Sequence, residues 1–508
     1  MAGETRVRRC LIALTGLGMT SRRPRFLCVL IVGMLGATTI ATAQSSGTFA
    51  PTSSMTTARS LHSATLLPNG QVLLAGGTAS SNGALASAEL YDPGTGTFRS
   101  AGTMTTARRL HSATLLPDGR VLIVGGDVNG GALTSAELFD PVTGIFSATG
   151  SLLTARSGHT AILLATGNVL VVGGYGTRAY PEVAPAEIYD PMSGTFRAAG
   201  AYVGHGGCDF CAPAVLLPDG TVLFPGQYPA QVYDPVSDAF SPSGMMVEDQ
   251  STAAALTNGQ VLFAGGESLG RSATAELYSP ATHTFVPTGS MTFRRVWHTL
   301  TLLPTGAVLA AGGETDSCSA NSCGFAGSVA SAELYDPSTN TFLSTGSMSA
   351  ARETHTATLL GDGRVLVAGG VSYGGIGIFG GALSSAELYT PDVLVPTPAL
   401  VSLSGDGHGQ GAIFHGGTTH VADARDPAAA GESVDIYCIG LTTDSAIPPQ
   451  VAIGGRMARL LRTSQVPGLA GVIQVMVRVP GGLAPGTAVS VRLTYIGRPS
   501  NEVTLAVQ

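Results

Sequence analysis

Arg59 and His62, Arg108 and His111, Arg156 and His159, Arg295 and His298, and Arg352 and His355 repeat a single spacing, Arg-x-x-His. Glu89, Glu137, Glu187, Glu276, Glu333 and Glu387 recur in the same step further along each stretch. Guanidinium and carboxylate groups in this pattern suit ion pairs within a fold, because a buried charge must be matched. Ligand binding is the lesser reading of these charges, and imidazoles in step with them could line a channel mouth and hold an anion or a metal. Recurrence in register with the chain favours scaffold. We therefore expect structural repeat ion pairs and packing histidines here, and assign neither set to catalysis.

Cysteine offers a second chemistry. Of seven cysteines, Cys10 and Cys28 lie near the N-terminus, Cys208 and Cys211 form one local pair, Cys318 and Cys323 another, and Cys438 sits alone in an apolar run. In an exported chain the two local pairs read as disulfides that pin loops. The Cys-x-x-Cys spacing at Cys208 also suits a redox motif or half a zinc site. No thioredoxin-like helical pattern surrounds it, and a four-cysteine zinc site would need the two loops to meet. Cys438 is expected to be a buried thiol. No nucleophile elbow, phosphate loop or His-Glu-x-x-His is present. The reading therefore assigns no catalytic, cofactor-binding or metal residues, and no cofactor.

The elements that must position these residues are short strands. Gly-Gly closes an apolar run at Gly76-Gly77, Gly125-Gly126, Gly173-Gly174, Gly265-Gly266, Gly312-Gly313 and Gly369-Gly370, and a degraded Pro225-Gly226 fills the gap. These are seven units of roughly 40 to 57 residues, the range of propeller blades. Each unit reads as four strands. His111 to Leu116 turns at Pro117-Asp118-Gly119 into Val121 to Val124, followed by Ala136 to Phe139 and a strand around Phe146. The fourth-strand aromatics are Phe49, Phe98, Phe146, Phe196, Phe240, Phe285 and Phe342, and the first of these precedes any Gly pair. The last unit, ending at Tyr389-Thr390-Pro391, lacks a fourth strand of its own, so the strand around Phe49 is expected to complete it and close the ring.

The Arg that leads each unit, the Gly pair, Glu-Leu-Tyr-Asp-Pro, the fourth-strand aromatic and the Met-x-x-x-Arg that follows resemble the kelch repeat from about Ser46 to Pro391. Phe replaces the usual fourth-strand Trp throughout. The fourth and fifth units depart further: Gln231 stands where other units have Glu, and neither carries Arg-x-x-His. The resemblance implies a seven-bladed β-propeller, residues 44–395.

Beyond the linker Val395-Pro396-Thr397-Pro398, strand-like runs at 434–438, 450–453, 471–477, 488–493 and 503–507, with Gly- and Pro-rich turns, predict an immunoglobulin-like β-sandwich over 396–508. This part is similar to a C-terminal module of secreted bacterial proteins, with which no activity comes. The fold class is thus all-β.

The domain order also resembles that of galactose oxidase and its relatives. Their copper radical site implies an adjacent Tyr-His pair, another Tyr, a further His from the C-terminal domain and a Cys cross-linked to one Tyr. No Tyr-His dipeptide occurs here, and His408, His415 and His420 match the last ligand by position alone.

Composition narrows the partners. Charged residues are 12% against 44% hydrophobic, and the net charge is -7 with no basic run beyond the first 25 residues, which argues against nucleic acid. Arg6 to Arg25, the apolar run Phe26 to Gly36 and Ala41-Thr42-Ala43 read as a bacterial-type secretory signal peptide, residues 1–43, with Met19 as an alternative start. The apolar run is shorter than the ~20 residues a membrane span needs. We expect a secreted or cell-surface protein with no span after cleavage.

Length variation falls on one face, in the second-to-third-strand insertions Tyr175 to Pro185, Thr315 to Val329 and Val371 to Gly381 and in the blade-to-blade connection Tyr202 to Ala212, and variable loops on a rigid scaffold are the natural binding surface. Tyr175, Arg178, Tyr180, Tyr202, His205, Phe325, Tyr373 and Phe379 are the candidate contacts for a protein or glycan ligand. The expected function is non-catalytic binding through that face, with a carbohydrate or alcohol oxidase as the alternative.

Overall fold

In the computed structural model, the described residues are 47–79, 83–176, 184–202, 213–225, 229–246, 252–266, 271–319, 322–374, 381–442 and 445–508. The proposed signal peptide lies outside them. No helix among them is long and apolar enough to cross a membrane.

Seven four-stranded antiparallel sheets form the first part of the chain. Blades 1 to 6 span 63–103, 112–148, 160–198, 215–242, 252–287 and 299–344, and blade 7 takes three strands from 356–390. Its outer strand is Thr48–Pro51, which pairs with Ala386–Thr390 in the register Phe49 to Tyr389. The ring is therefore closed by strands from opposite ends of the array.

Second strands such as Val121–Val124 and Val169–Val172 are buried along their whole length, as expected of apolar runs packed on both faces. Outer strands such as Ile145–Ala148 alternate with one buried Phe. Across each third and fourth strand an aromatic pair packs with tilted rings, as in Tyr91 with Phe98 at 4.8 Å and Tyr335 with Phe342 at 4.9 Å. The third-strand tyrosines also reach the neighbouring blade: Tyr189 and Thr149 hydroxyls lie 2.8 Å apart, as do those of Tyr335 and Thr288.

The Gly pair is explained by its neighbours. A Cβ on Gly76, at φ +63°, would sit 2.4 Å from Arg108 O and 2.7 Å from His111 Cε1 of the next blade. One on Gly77, at φ +90°, would meet Ser60 O at 2.4 Å and His62 Cβ at 2.8 Å. The first glycine admits the following blade and the second admits the blade's own lead-in segment.

The C-terminal strands, from Ala399–Leu400 to Val503–Val507, are connected in one nine-stranded sheet. The strand spacing predicts a two-sheet sandwich, but here the long strand Arg456–Gln465 pairs with both Gln450–Ile453 and Val472–Arg478 and joins the two halves. Parallel bridges from Gln410 to Thr504 and from Ala428 to Val507 bring the sheet nearly round on itself. One core fills it, including Ile436, Val475, Ile453, Leu493 and the Cys438 thiol, which burial pushes up to about 12.

This sheet rests on the propeller face that carries the first-to-second-strand turns. Arg492 Nη1 donates to Asp118 O at 3.2 Å, and Gly167 and Gly455 abut Met457 and Asp118. Arg498, fully buried, donates to Val395 O at 2.9 Å and Pro396 O at 3.2 Å, fixing the linker. The opposite face, where the second-to-third-strand connections lie, is left to the variable loops.

Candidate functional site

Each regular blade is built onto the previous one by the same set of atoms. The Arg108 guanidinium donates to Gly125 O at 2.6 Å, Ser135 O at 3.0 Å and Glu137 Oε1 at 2.7 Å, all in its own blade. Its carbonyl accepts from Gly77 N of the preceding blade at 2.9 Å. The same pairing joins Arg59 to Glu89, Arg156 to Glu187, Arg295 to Glu333 and Arg352 to Glu387, with all five arginines at 0% exposure. Glu276 belongs to blade 5, where the chain has no equivalent Arg.

Burial alone would raise the carboxyl of Glu89. The hydrogen bond from Arg59 and the N–H of Thr56 outweigh it, so the group is held below its ordinary value. The Glu89 carboxylate oxygens are matched by Arg59 and by the N–H groups of Thr56 and Thr57, while the Nε atoms of Arg59, Arg108, Arg295 and Arg352 have no hydrogen-bond partner among the described residues.

The histidines form a second belt. His111 Nε2 meets Ser63 Oγ at 2.9 Å, His159 meets Ser112 at 2.8 Å, His355 meets Thr299 at 3.2 Å and His62 meets Thr356 at 3.0 Å. Each bond crosses one blade boundary, and the last crosses the closure. Burial, then the adjacent arginine, lowers the imidazoles, with His111, His159 and His355 at about 3, so they are neutral at physiological pH. The signal for this belt was present in the sequence: the residue after each of these histidines is Ser or Thr.

A collar surrounds the mouth on the loop face. Leu61, Leu110, Trp297 and Thr354 occupy one equivalent position with φ of 53°, 52°, 57° and 50°, and Gly158 takes it in blade 3. Leu110 N donates to Leu61 O at 3.2 Å, Gly158 N to Leu110 O at 2.9 Å and Thr354 N to Trp297 O at 3.2 Å. Left-handed backbone at non-glycine residues costs energy and persists where the surroundings over-determine it. Here the inter-blade bonds do so, and they fix the rim from which the loops spring.

The candidate contacts divide. Tyr175 is half-buried and exchanges backbone bonds with Ser157 at 2.9 and 3.0 Å, at the rim. Tyr373, also half-buried, donates its N–H to Ser328 Oγ at 3.0 Å and accepts from Ser328 N at its carbonyl at 3.1 Å. Tyr202 turns inward to Phe240 and Phe224, at 5.3 and 5.9 Å, and is a packing residue between blades 3 and 4. Arg178, Tyr180, His205, Phe379, Cys208 and Cys211 lie outside the described residues. Cys318 and Cys323 are register partners in a hairpin, Glu314–Ser319 with Ser322–Ser328, and Phe325 stands opposite Asp316 in it.

The Kelch motif family matches residues 59–105, which is blade 1 with its lead-in. The chain carries a Kelch motif. None of the curated proteins matches it. The Kelch propeller is similar in structure to a novel fungal alcohol oxidase with catalytic diversity among the AA5 family, solved in complex with copper. That likeness covers 91% of this chain and 99% of the other at 16% identity, with a TM-score of 0.57, and so concerns the galactose-oxidase-like fold.

Among the described residues no donor set fits a copper radical site. Four ring histidines, His62, His111, His159 and His355, use Nε2 on inter-blade hydroxyls, whereas neither ring nitrogen of the buried His298 has a hydrogen-bond partner among the described residues. A cavity of about 420 Å³ lies between the innermost strands and the C-terminal sheet, which contributes Gln450, Ala452 and Thr494 to it. His415 lies elsewhere, bonded to Glu432 and to Asp426 O, and neither it nor His408 or His420 lines that cavity. Among the described residues no three His, Cys, Asp or Glu side chains are grouped to hold a metal.

Proposed function

We propose that this is a secreted, non-catalytic Kelch propeller that binds a protein or glycan ligand through its loop face. The observation that carries the reading is the asymmetry of the disc. The C-terminal sheet, immunoglobulin-like in its strand spacing, covers the turn face through Arg492, Arg498 and Met457, and acts as a spacer. The loop face carries the length variation, on a rim held by the Leu61–Leu110–Gly158 and Trp297–Thr354 bonds. Rigid scaffolds with variable loops bind through the loops.

A second reading, a carbohydrate or alcohol oxidase, is favoured by the structural likeness over both domains. It is opposed by the donor set, which lacks the Tyr-His pair and a C-terminal histidine at the axis. Purified protein incubated with copper and a panel of sugars and primary alcohols separates the two. Peroxide release no greater than that of a copper blank supports binding alone, whereas sustained release abolished by a chelator overturns it.

A further inference from the structure

The joining strand of the C-terminal sheet, Arg456–Gln465, carries Arg459 and Arg462 three residues apart. On a regular strand, side chains three apart point to opposite faces. Here the register with Val472–Arg478 passes from Leu460 opposite Val477 to Arg462 opposite Met476, so Leu461 is an extra residue in a bulge. Ala458 and Leu460 pack on the core with Val475 and Val477, which turns Arg459 outward, and the bulge brings Arg462 to the same outward face. Arg478 stands directly opposite Arg459 on that face. All three arginines are exposed.

We propose that this face is a binding strip for an acidic polysaccharide, whose carboxylates are gripped by Arg459, Arg462 and Arg478. Like charges directly opposite in a sheet, about 5 Å apart, repel and destabilise it. Among the described residues none of the three forms an ion pair that would relieve this. Acids of this part of the chain are engaged elsewhere: Glu432 and Asp426 with His415, Glu502 with Arg492, and Asp406 with Ser402 and Ser404. Asp435, on the same face beyond Met476, is 1% exposed and accepts from Gly417 N. The counter-charge is therefore left to a ligand. This role is additional to that of the loop face and does not rest on it.

A guanidinium fork matches a carboxylate through two parallel hydrogen bonds, and a row of forks suits a chain that presents one carboxylate after another. Successive outward positions on a strand lie about 7 Å apart, so the strip runs along the strand. It continues to Ser464 and its register partner Gln474, where Ser464 Oγ donates to Gln474 Oε1 at 3.3 Å, and these polar groups suit sugar hydroxyls. Duplex nucleic acid fits less well, because three cations make few phosphate contacts and the chain carries a net charge of -7. Membrane binding grows with the apolar area inserted, and Leu461, at 37%, is the one exposed large apolar side chain of the strand.

The test is retention of the full chain by immobilised polygalacturonate, with anionic phospholipid vesicles and duplex DNA as parallel probes. We expect retention by polygalacturonate that weakens as salt is raised, and weaker retention by the other two. Arg459→Gln, Arg462→Gln and Arg478→Gln should each weaken it about two- to fivefold, and the triple variant about tenfold or more. Arg425→Gln, which removes an exposed arginine outside the strip, should leave it unchanged. Thermal melting checks the fold, and Arg478→Gln, which relieves Arg459, should melt no lower than the wild type. Tyr175→Ala and Tyr373→Ala should keep the polygalacturonate signal, which separates this outcome from that of the loop face. No retention at low salt, equal retention by the triple variant, loss in the tyrosine variants instead, or stronger retention by vesicles or DNA overturns the proposal.

Discussion

His111 Nε2 and Ser63 Oγ lie 2.9 Å apart across the boundary between blades 1 and 2. The bond is one of a series that holds the ring by neutral imidazoles packed beside buried arginines. The ordinary histidine value is 6.5, and burial followed by Arg108 takes His111 to about 3. Because the folded value is depressed, this stabilisation is complete above pH 6.5 and is lost as pH falls below it. Each histidine should contribute a slope of about 1.4 kcal/mol per pH unit in that range. Chemical denaturation at several pH values should show this acid lability, and His111→Gln should remove about one proton from the slope. A slope unchanged in the variant would place the acid sensitivity elsewhere.

The Arg108–Glu137 pair, at 2.7 Å with both side chains buried, should be costly to break. Arg108→Met is expected to lose roughly 3–5 kcal/mol in urea unfolding, because it strands a buried carboxylate. The exposed pair Arg197–Asp238 is the control, with Arg197 at 55% exposure, and Arg197→Ala should cost less than about 1 kcal/mol. Equal losses would mean that burial does not set the value of these ions.

Removal of residues 44–50 should lower thermal stability of the whole ring, since it leaves Ala386–Thr390 an open edge and Tyr389 without Phe49 at 4.9 Å. A melting curve that matches the full chain would show that blade 7 holds with three strands.

Arg498→Met should free the linker carbonyls of Val395 and Pro396 and leave the blades intact. Limited proteolysis is expected to cut near 395–398 in the variant and to spare the wild type. Cutting at equal rates would show that Arg498 does not fix the two parts.

The propeller was legible in the sequence because its repeat is local. Gly76-Gly77, the Arg-x-x-His lead-in and the Tyr91 and Phe98 positions recur at fixed offsets, and each has a contact that requires it. The course of the C-terminal sheet was not legible. Its joining strand, Arg456–Gln465, carries Arg456, Arg459 and Arg462 and is largely exposed, so it lacks an apolar run. A register shift between Leu460 and Arg462 accompanies its bend from one half to the other. Alternation alone reads the same in a sandwich and in a curled sheet. The contacts around Glu353 were hidden for another reason: they draw on Ser328 and Tyr373 from separate connections, and no spacing links them.

The central claim is that the loop face, and not the covered turn face, binds the ligand. Its most direct test is a glycan array probed with the intact protein, with Tyr175→Ala and Tyr373→Ala on the loop face, and with Val142→Asp on the turn-face rim. The account predicts signal on a defined set of glycans, a loss of about tenfold or more in the loop-face variants, and none in Val142→Asp. Signal lost in Val142→Asp and kept in both tyrosine variants would contradict it.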